Sequence, residues 1–191
     1  MFRRLLPLLL ISSSLDAATV WAFGEPGITS VSFSKVAFSD WTLTENQDLV
    51  STSVAITRQN LKGIYNANVD AGTQLLNGTA ADVAGTLWAF EGLNGNPGSG
   101  SFGGAANHAA LSFNNWGRAV EGSPPSSVGV PGVLYLVAED VYLDIIFDGW
   151  GGAGSGGTFS YTRAAAVPEP AAALPWVAAA VLACRRRRIR R

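Results

Sequence analysis

The sequence predicts an all-β domain: a single antiparallel β-sandwich, jelly-roll-like, with room for one short helix. Three observations predict it. Several runs alternate apolar and polar residues with period two, the mark of a strand buried on one face. Glycine, serine and asparagine clusters punctuate these runs, and helix-period patterns are few. Charged residues make up only 14% of the chain, well below the roughly 25% of an ordinary soluble protein, which argues against charge-laced surface helices. Hydrophobic residues reach 48%, enough to build a core and to exclude a chain disordered throughout.

The elements follow in order. Val31 and Phe33 alternate with Ser32 and Ser34. Val50, Thr52, Val54 and Ile56 alternate with Ser51, Ser53, Ala55 and Thr57, which predicts one continuous strand over 50–57. Residues 91–104 are a Gly/Asn/Ser stretch and predict a flexible loop. A short helix is expected near 116–120, and Pro124-Pro125 breaks the chain after it. Residues 133–137 and 141–147 flank Ala138, Glu139 and Asp140, which reads as an antiparallel hairpin. On its second arm Val141, Leu143, Ile145 and Phe147 point one way, and Tyr142, Asp144, Ile146 and Asp148 the other. A glycine-rich link over 151–157 leads to a closing strand over 158–162.

The two ends differ from this body. Arg3 and Arg4 precede the apolar run 5–11 and then small and polar residues. That pattern predicts a secretory signal peptide over residues 1–19, read by the Sec machinery and signal peptidase. Small residues at 17–19, or the triplet Val20-Trp21-Ala22, each offer a cleavage site. Residues 167–191 form a tail: the motif Val167-Pro168-Glu169-Pro170, an apolar segment over 171–184, and an arginine cluster over 185–191. The prolines force an extended linker. The apolar segment predicts a helix that inserts marginally in a membrane, since a spanning helix needs about 20 residues. Arg185, Arg186, Arg187 and Arg188 would hold it with the cluster on the cytoplasmic side.

With the ends set aside, residues 20–166 form the predicted extracytoplasmic domain. Five basic against twelve acidic residues leave it a net charge of −7. An acidic body repels phosphate backbones, so no nucleic-acid partner is expected. Cys184 is the only cysteine, so no internal disulfide is available.

The order Val167-Pro168-Glu169-Pro170, apolar segment, arginine cluster resembles the PEP-CTERM sorting signal. The resemblance implies that an exosortase-type enzyme recognises Pro168, Glu169 and Pro170, removes the tail, and passes the body to the cell surface or exopolysaccharide. The body resembles an uncharacterised secreted domain of PEP-CTERM surface proteins through Leu111-Ser112-Phe113, Trp116, Pro124-Pro125, Tyr142-Leu143-Asp144-Ile145, Trp150 and Phe159-Ser160-Tyr161-Thr162-Arg163. That resemblance implies an architecture and no activity.

Candidate chemistry is sparse. Residues 152–157 match a G-x-G-x-x-G pattern, but a strand-like run follows where a dinucleotide site needs a helix, so a hairpin loop is expected. His108 is the sole histidine and cannot build a multi-histidine zinc site; a solvated loop position is expected. Asp140, Asp144 and Asp148 share strand parity, with neighbours about 13 Å apart at ~3.3 Å per residue, too far for paired glycosidase carboxylates. Calcium held by Asp140, Asp144 or Asp48 fits an acidic extracellular body, although no EF-hand spacing supports it. Trp88, Trp116 and Trp150 are candidates for stacking on sugar rings, with a place in the core as the competing expectation. Asn77-Gly78-Thr79 is a glycosylation sequon. The sequence therefore predicts a non-enzymatic surface or matrix protein, with no catalytic residues and no cofactor other than calcium. The alternatives are a carbohydrate-binding module for exopolysaccharide and a small glycan-active enzyme.

Overall fold

The computed structural model describes residues 17–70, 83–152 and 154–167. Most of the predicted signal peptide, the sequon at Asn77, and the tail from Pro168 onward lie outside the described residues, including the sorting motif and its arginines. No helix among the described residues is long and apolar enough to cross a membrane.

The body is all-β, as the alternation predicts. Among the described residues nine strands form two sheets: β1 (Thr19–Trp21), β2 (Ile28–Lys35), β3 (Asp48–Leu49), β4 (Ala55–Arg58), β5 (Ile64–Asn66), β6 (Thr86–Phe90), β7 (Pro131–Leu136), β8 (Val141–Trp150) and β9 (Phe159–Ala166). The larger sheet runs β2-β9-β8-β7-β6 and the smaller β3-β4-β5, with these pairings antiparallel. β1 pairs parallel with the start of β8, while β9 pairs with its end. β6 to β9 are consecutive neighbours in one sheet, whereas a jelly roll exchanges successive strands between sheets. A short hairpin link sets β7 beside β8, since Leu136 and Val141 are already in register across four linking residues, whereas the 91–130 connection joins β6 to β7.

One core fills the space between the sheets. Ile56 and Ile64 of the small sheet, with Val54 just before β4, meet Trp88, Phe90, Leu134, Leu143, Ile145, Phe147 and Tyr161 of the large one. The parity predicted for β8 holds, with Val141, Leu143, Ile145 and Phe147 buried and Tyr142, Asp144, Ile146 and Asp148 on the other face. A bulge between Phe147 and Gly149 shifts the register beyond them. The short helix α1 (Trp116–Ala119) forms where expected, capped by the Asn115 side chain, which accepts from the Arg118 N–H.

Two expectations need correction. The run over 50–57 is not one strand. Ser51 Oγ accepts from the N–H groups of Ser53 and Val54, closing a turn that folds β3 back on β4. The loop over 91–104 is braced rather than flexible. Asn96 is buried; its amide donates to the Ser112 carbonyl and accepts from the Ser112 N–H, while Phe102 is buried under the outer face of the large sheet. Composition predicts loop freedom only until a side chain supplies the missing backbone partners.

Candidate functional site

The acids singled out from sequence are engaged with the protein itself. Asp144 Oδ2 accepts from the Phe23 N–H (2.8 Å) and Oδ1 from the Ala105 N–H (2.6 Å). It thus ties the β1–β2 turn and the 104–110 segment to the outside of β8, where Gly104 (φ 60°) lies against its carboxylate. Asp140 sits in the β7–β8 turn at φ 52° and accepts from the Tyr135 hydroxyl (3.1 Å). Asp148 accepts from Thr162. Among the described residues no three His, Cys, Asp or Glu side chains converge as a metal site. Asp140 and Asp144, the calcium candidates, are thus held apart: the Asp144 carboxylate accepts from backbone donors and Asp140 lies in a separate turn.

Asp48, the third calcium candidate, is buried in the core. Arg163 Nε donates to its Oδ2 (2.6 Å), Nη2 to its Oδ1 (2.8 Å), and the Tyr161 hydroxyl to Oδ2 (2.7 Å). Burial and the neighbouring Asp48 carboxylate hold the Tyr161 hydroxyl well above its ordinary pKa. Burial, with smaller contributions from Asp40 and Asp70, pushes Tyr65 up to about 12. Burial first, then the bond to Asp140, pushes Tyr135 up to about 12. A raised folded-state pKa stabilises the fold below the unfolded value of 10.0 and loses that contribution as pH rises through the folded value. Absorbance titration should therefore find the buried Tyr65 and Tyr161 still protonated at pH 10.0, with their ionisation coupled to unfolding towards pH 12.

The tryptophans divide. Trp88 and Trp116 are 0% and 1% exposed, stacked edge-to-face at 5.0 Å. Neither has a free face for a sugar, which corrects the stacking assignment for both. Trp150 is half-buried, and the Arg58 guanidinium sits 3.9 Å above its ring centroid. His108 is half-buried and stacks on Tyr142 at 4.2 Å, rather than standing in solvent. The glycine run is the β8–β9 connection. Gly157 (φ 72°) lies so close to the Gln59 carbonyl that a Cβ would collide with it.

Trp150 belongs to a cleft of 480 Å³ where the end of β2 meets the β8–β9 connection, lined also by Ser34, Lys35, Thr158 and Ser160. Lys35, Phe159 and Trp150 lie in register across β2, β9 and β8, so their side chains share the inward face. Lys35 is 1% exposed and its Nζ has no hydrogen-bond partner. Desolvation, and then repulsion by Arg58, lower its pKa. Arg58 reaches in from the small sheet and is held entirely by carbonyls: Nε donates to Lys62, and Nη1 to Gly151 and Thr158. Burial pulls its pKa down to about 10, so it stays cationic at neutral pH. Sequence reasoning passed over Lys35, although a signal was present: it continues the inward parity of Val31 and Phe33. A second, open depression of 690 Å³ lies among Asn94, Asn115, Arg118 and Glu121, but Glu121 there accepts from the Asn94 N–H.

The chain matches no protein-family model, no curated protein and no solved structure.

Proposed function

We propose that this chain is an exported, non-enzymatic surface or matrix protein. Its body, a two-sheet sandwich, travels between a secretion leader and a PEP-CTERM-like tail. One observation carries the reading furthest. β9 ends at Ala166, Val167 donates its N–H to the Gly27 carbonyl and is 48% exposed, and Pro168-Glu169-Pro170 follow at once. In the sequence the Pro-Glu-Pro motif thus follows directly on the last strand, which supports the reading of 167–170 as a processing site at the edge of the body. On this reading the partners are the Sec machinery and signal peptidase for the leader and an exosortase-type enzyme for the motif. The inner membrane holds residues 171–184 until processing, and the destination is the cell surface or extracellular matrix.

Intact-mass measurement on protein recovered from cell surface and medium tests this. The expected species lacks both ends, with its C-terminus near residues 168–170. Its N-terminus is expected at or before Thr19, because cleavage after Ala22 would remove β1, which pairs with β8 and sets Trp21 against the core. A full-length species confined to the cytoplasm overturns the proposal.

A second reading, a carbohydrate-binding module for exopolysaccharide, is favoured by the Lys35–Trp150 cleft, a concave site with an aromatic wall and an unsatisfied donor. The glycan-active enzyme gains no comparable support, since Asp48, Asp140, Asp144 and Asp148 each accept bonds from the protein's own groups.

A further inference from the structure

We propose that the cleft lined by Lys35 and Trp150, with Arg58 stacked on the Trp150 ring behind it, is a carboxylate-binding subsite that takes the acid group of a uronic-acid unit. The inference rests on the sugar-binding reading for the source of the carboxylate and on the cleft alone for its chemistry.

An ammonium removed from water without a partner is costly, and such groups are ordinarily paired. The bonds that hold Arg58 in place all go to carbonyl oxygens, which satisfy its protons without neutralising its charge. Two cations from facing sheets thus come together beside one cleft, Lys35 lining it and Arg58 held behind it on Trp150, Gly151 and Thr158, and Arg58 is the charge that acts on Lys35. This happens in a body with twelve acids and only five bases. Of those bases Arg163 is already committed to Asp48. Cations kept close together and away from the abundant acids leave a site whose missing member is an anion. Trp150 holds the Arg58 guanidinium in place, and Thr158 supplies a polar wall for hydroxyl groups. A single sugar carrying one carboxylate matches this set: charge at the floor, hydroxyls at the wall.

The chain has two lysines, Lys35 and Lys62, so isotope-labelled lysine gives two side-chain NMR signals. In the full-length protein in mild detergent, sodium glucuronate is expected to move the Lys35 signal and leave Lys62 in place, while glucose moves neither. Lys35→Met is expected to remove the responding signal and to weaken calorimetric affinity for glucuronate about tenfold or more, the usual worth of a charge-assisted bond. If that variant fails to fold, the wild-type signals still decide the matter. No movement with glucuronate, or equal movement with glucose, overturns the subsite. Polygalacturonate separates the two layers of the inference. Binding tighter than the monomer supports a polysaccharide source through repeated units. Binding of the monomer but not the polymer keeps the carboxylate chemistry and overturns the polysaccharide as ligand.

Discussion

Arg163→Met is expected to destabilise the body by about 3–5 kcal/mol, lowering its Tm by roughly 10 °C or more for a domain of this size. The reason lies with the group left behind. Asp48 is 8% exposed and its carboxylate is held by Arg163 through both oxygens and by the Tyr161 hydroxyl. With Arg163 gone, a single hydroxyl remains for a charge inside the core. The carboxylate then lies in the core without its counter-charge, and the native state loses ground. The bidentate bond bridges β9 of the large sheet and β3 of the small one, so its loss also loosens the contact between sheets. Pairing the change with Asp48→Leu should recover most of the loss, because an apolar pair of similar volume removes the stranded charge. Tyr161→Phe, which takes away one of three bonds, should cost about 1 kcal/mol. Thermal melting followed by circular dichroism reads all three. A drop below about 1 kcal/mol for Arg163→Met would mean that Asp48 is reached by water, and the buried-pair account would fail.

How far the fold was legible depended on whether the deciding information was local. The β7–β8 hairpin is written in adjacent residues: strict alternation over 141–147 and a short polar link. The turn at Ser51–Ser53 was hidden because serine and threonine kept the period-two pattern while the Ser51 hydroxyl was capping a turn. β6 was missed because Thr86–Phe90 is buried on both faces, under α1 on one side and the 102–113 segment on the other, so nothing alternates. The parallel pairing of β1 with β8 joins positions more than a hundred residues apart, and no local pattern encodes such a register. The site shows the same division. Lys35 was readable as a lysine on an inward parity; the approach of Arg58 from the other sheet was not. The acids misled for a related reason. Sequence gives their spacing along a strand, whereas their partners, such as Phe23 and Ala105 for Asp144, arrive from elsewhere in the chain.

Trp116→Ala is expected to unfold rather than merely disarm the protein, and this separates the two roles considered for its tryptophans. The ring is 1% exposed and packs at 5.0 Å on Trp88, 5.1 Å on Phe147, 5.8 Å on Trp150 and 5.9 Å on Phe90. Truncation removes the transfer free energy of the largest side chain and leaves a cavity that rigid strands on both sides cannot close. The expected cost is about 3–5 kcal/mol, most of the stability of a small domain. Trp116→Phe keeps part of the aromatic contact and should cost clearly less. A sugar-stacking tryptophan behaves in the opposite way: its loss abolishes polysaccharide retention and leaves the melting curve in place. Measuring both properties on Trp116→Ala and Lys35→Met therefore gives a crossed pattern. Trp116→Ala should lose stability, with retention falling only as far as unfolding dictates. Lys35→Met should keep or raise stability, because an unpartnered buried amine disappears, while glucuronate affinity falls. If Trp116→Ala instead melts like wild type and lets polysaccharide go, the ring faces the ligand, and the core drawn from Trp88, Phe90 and Phe147 around it is wrong.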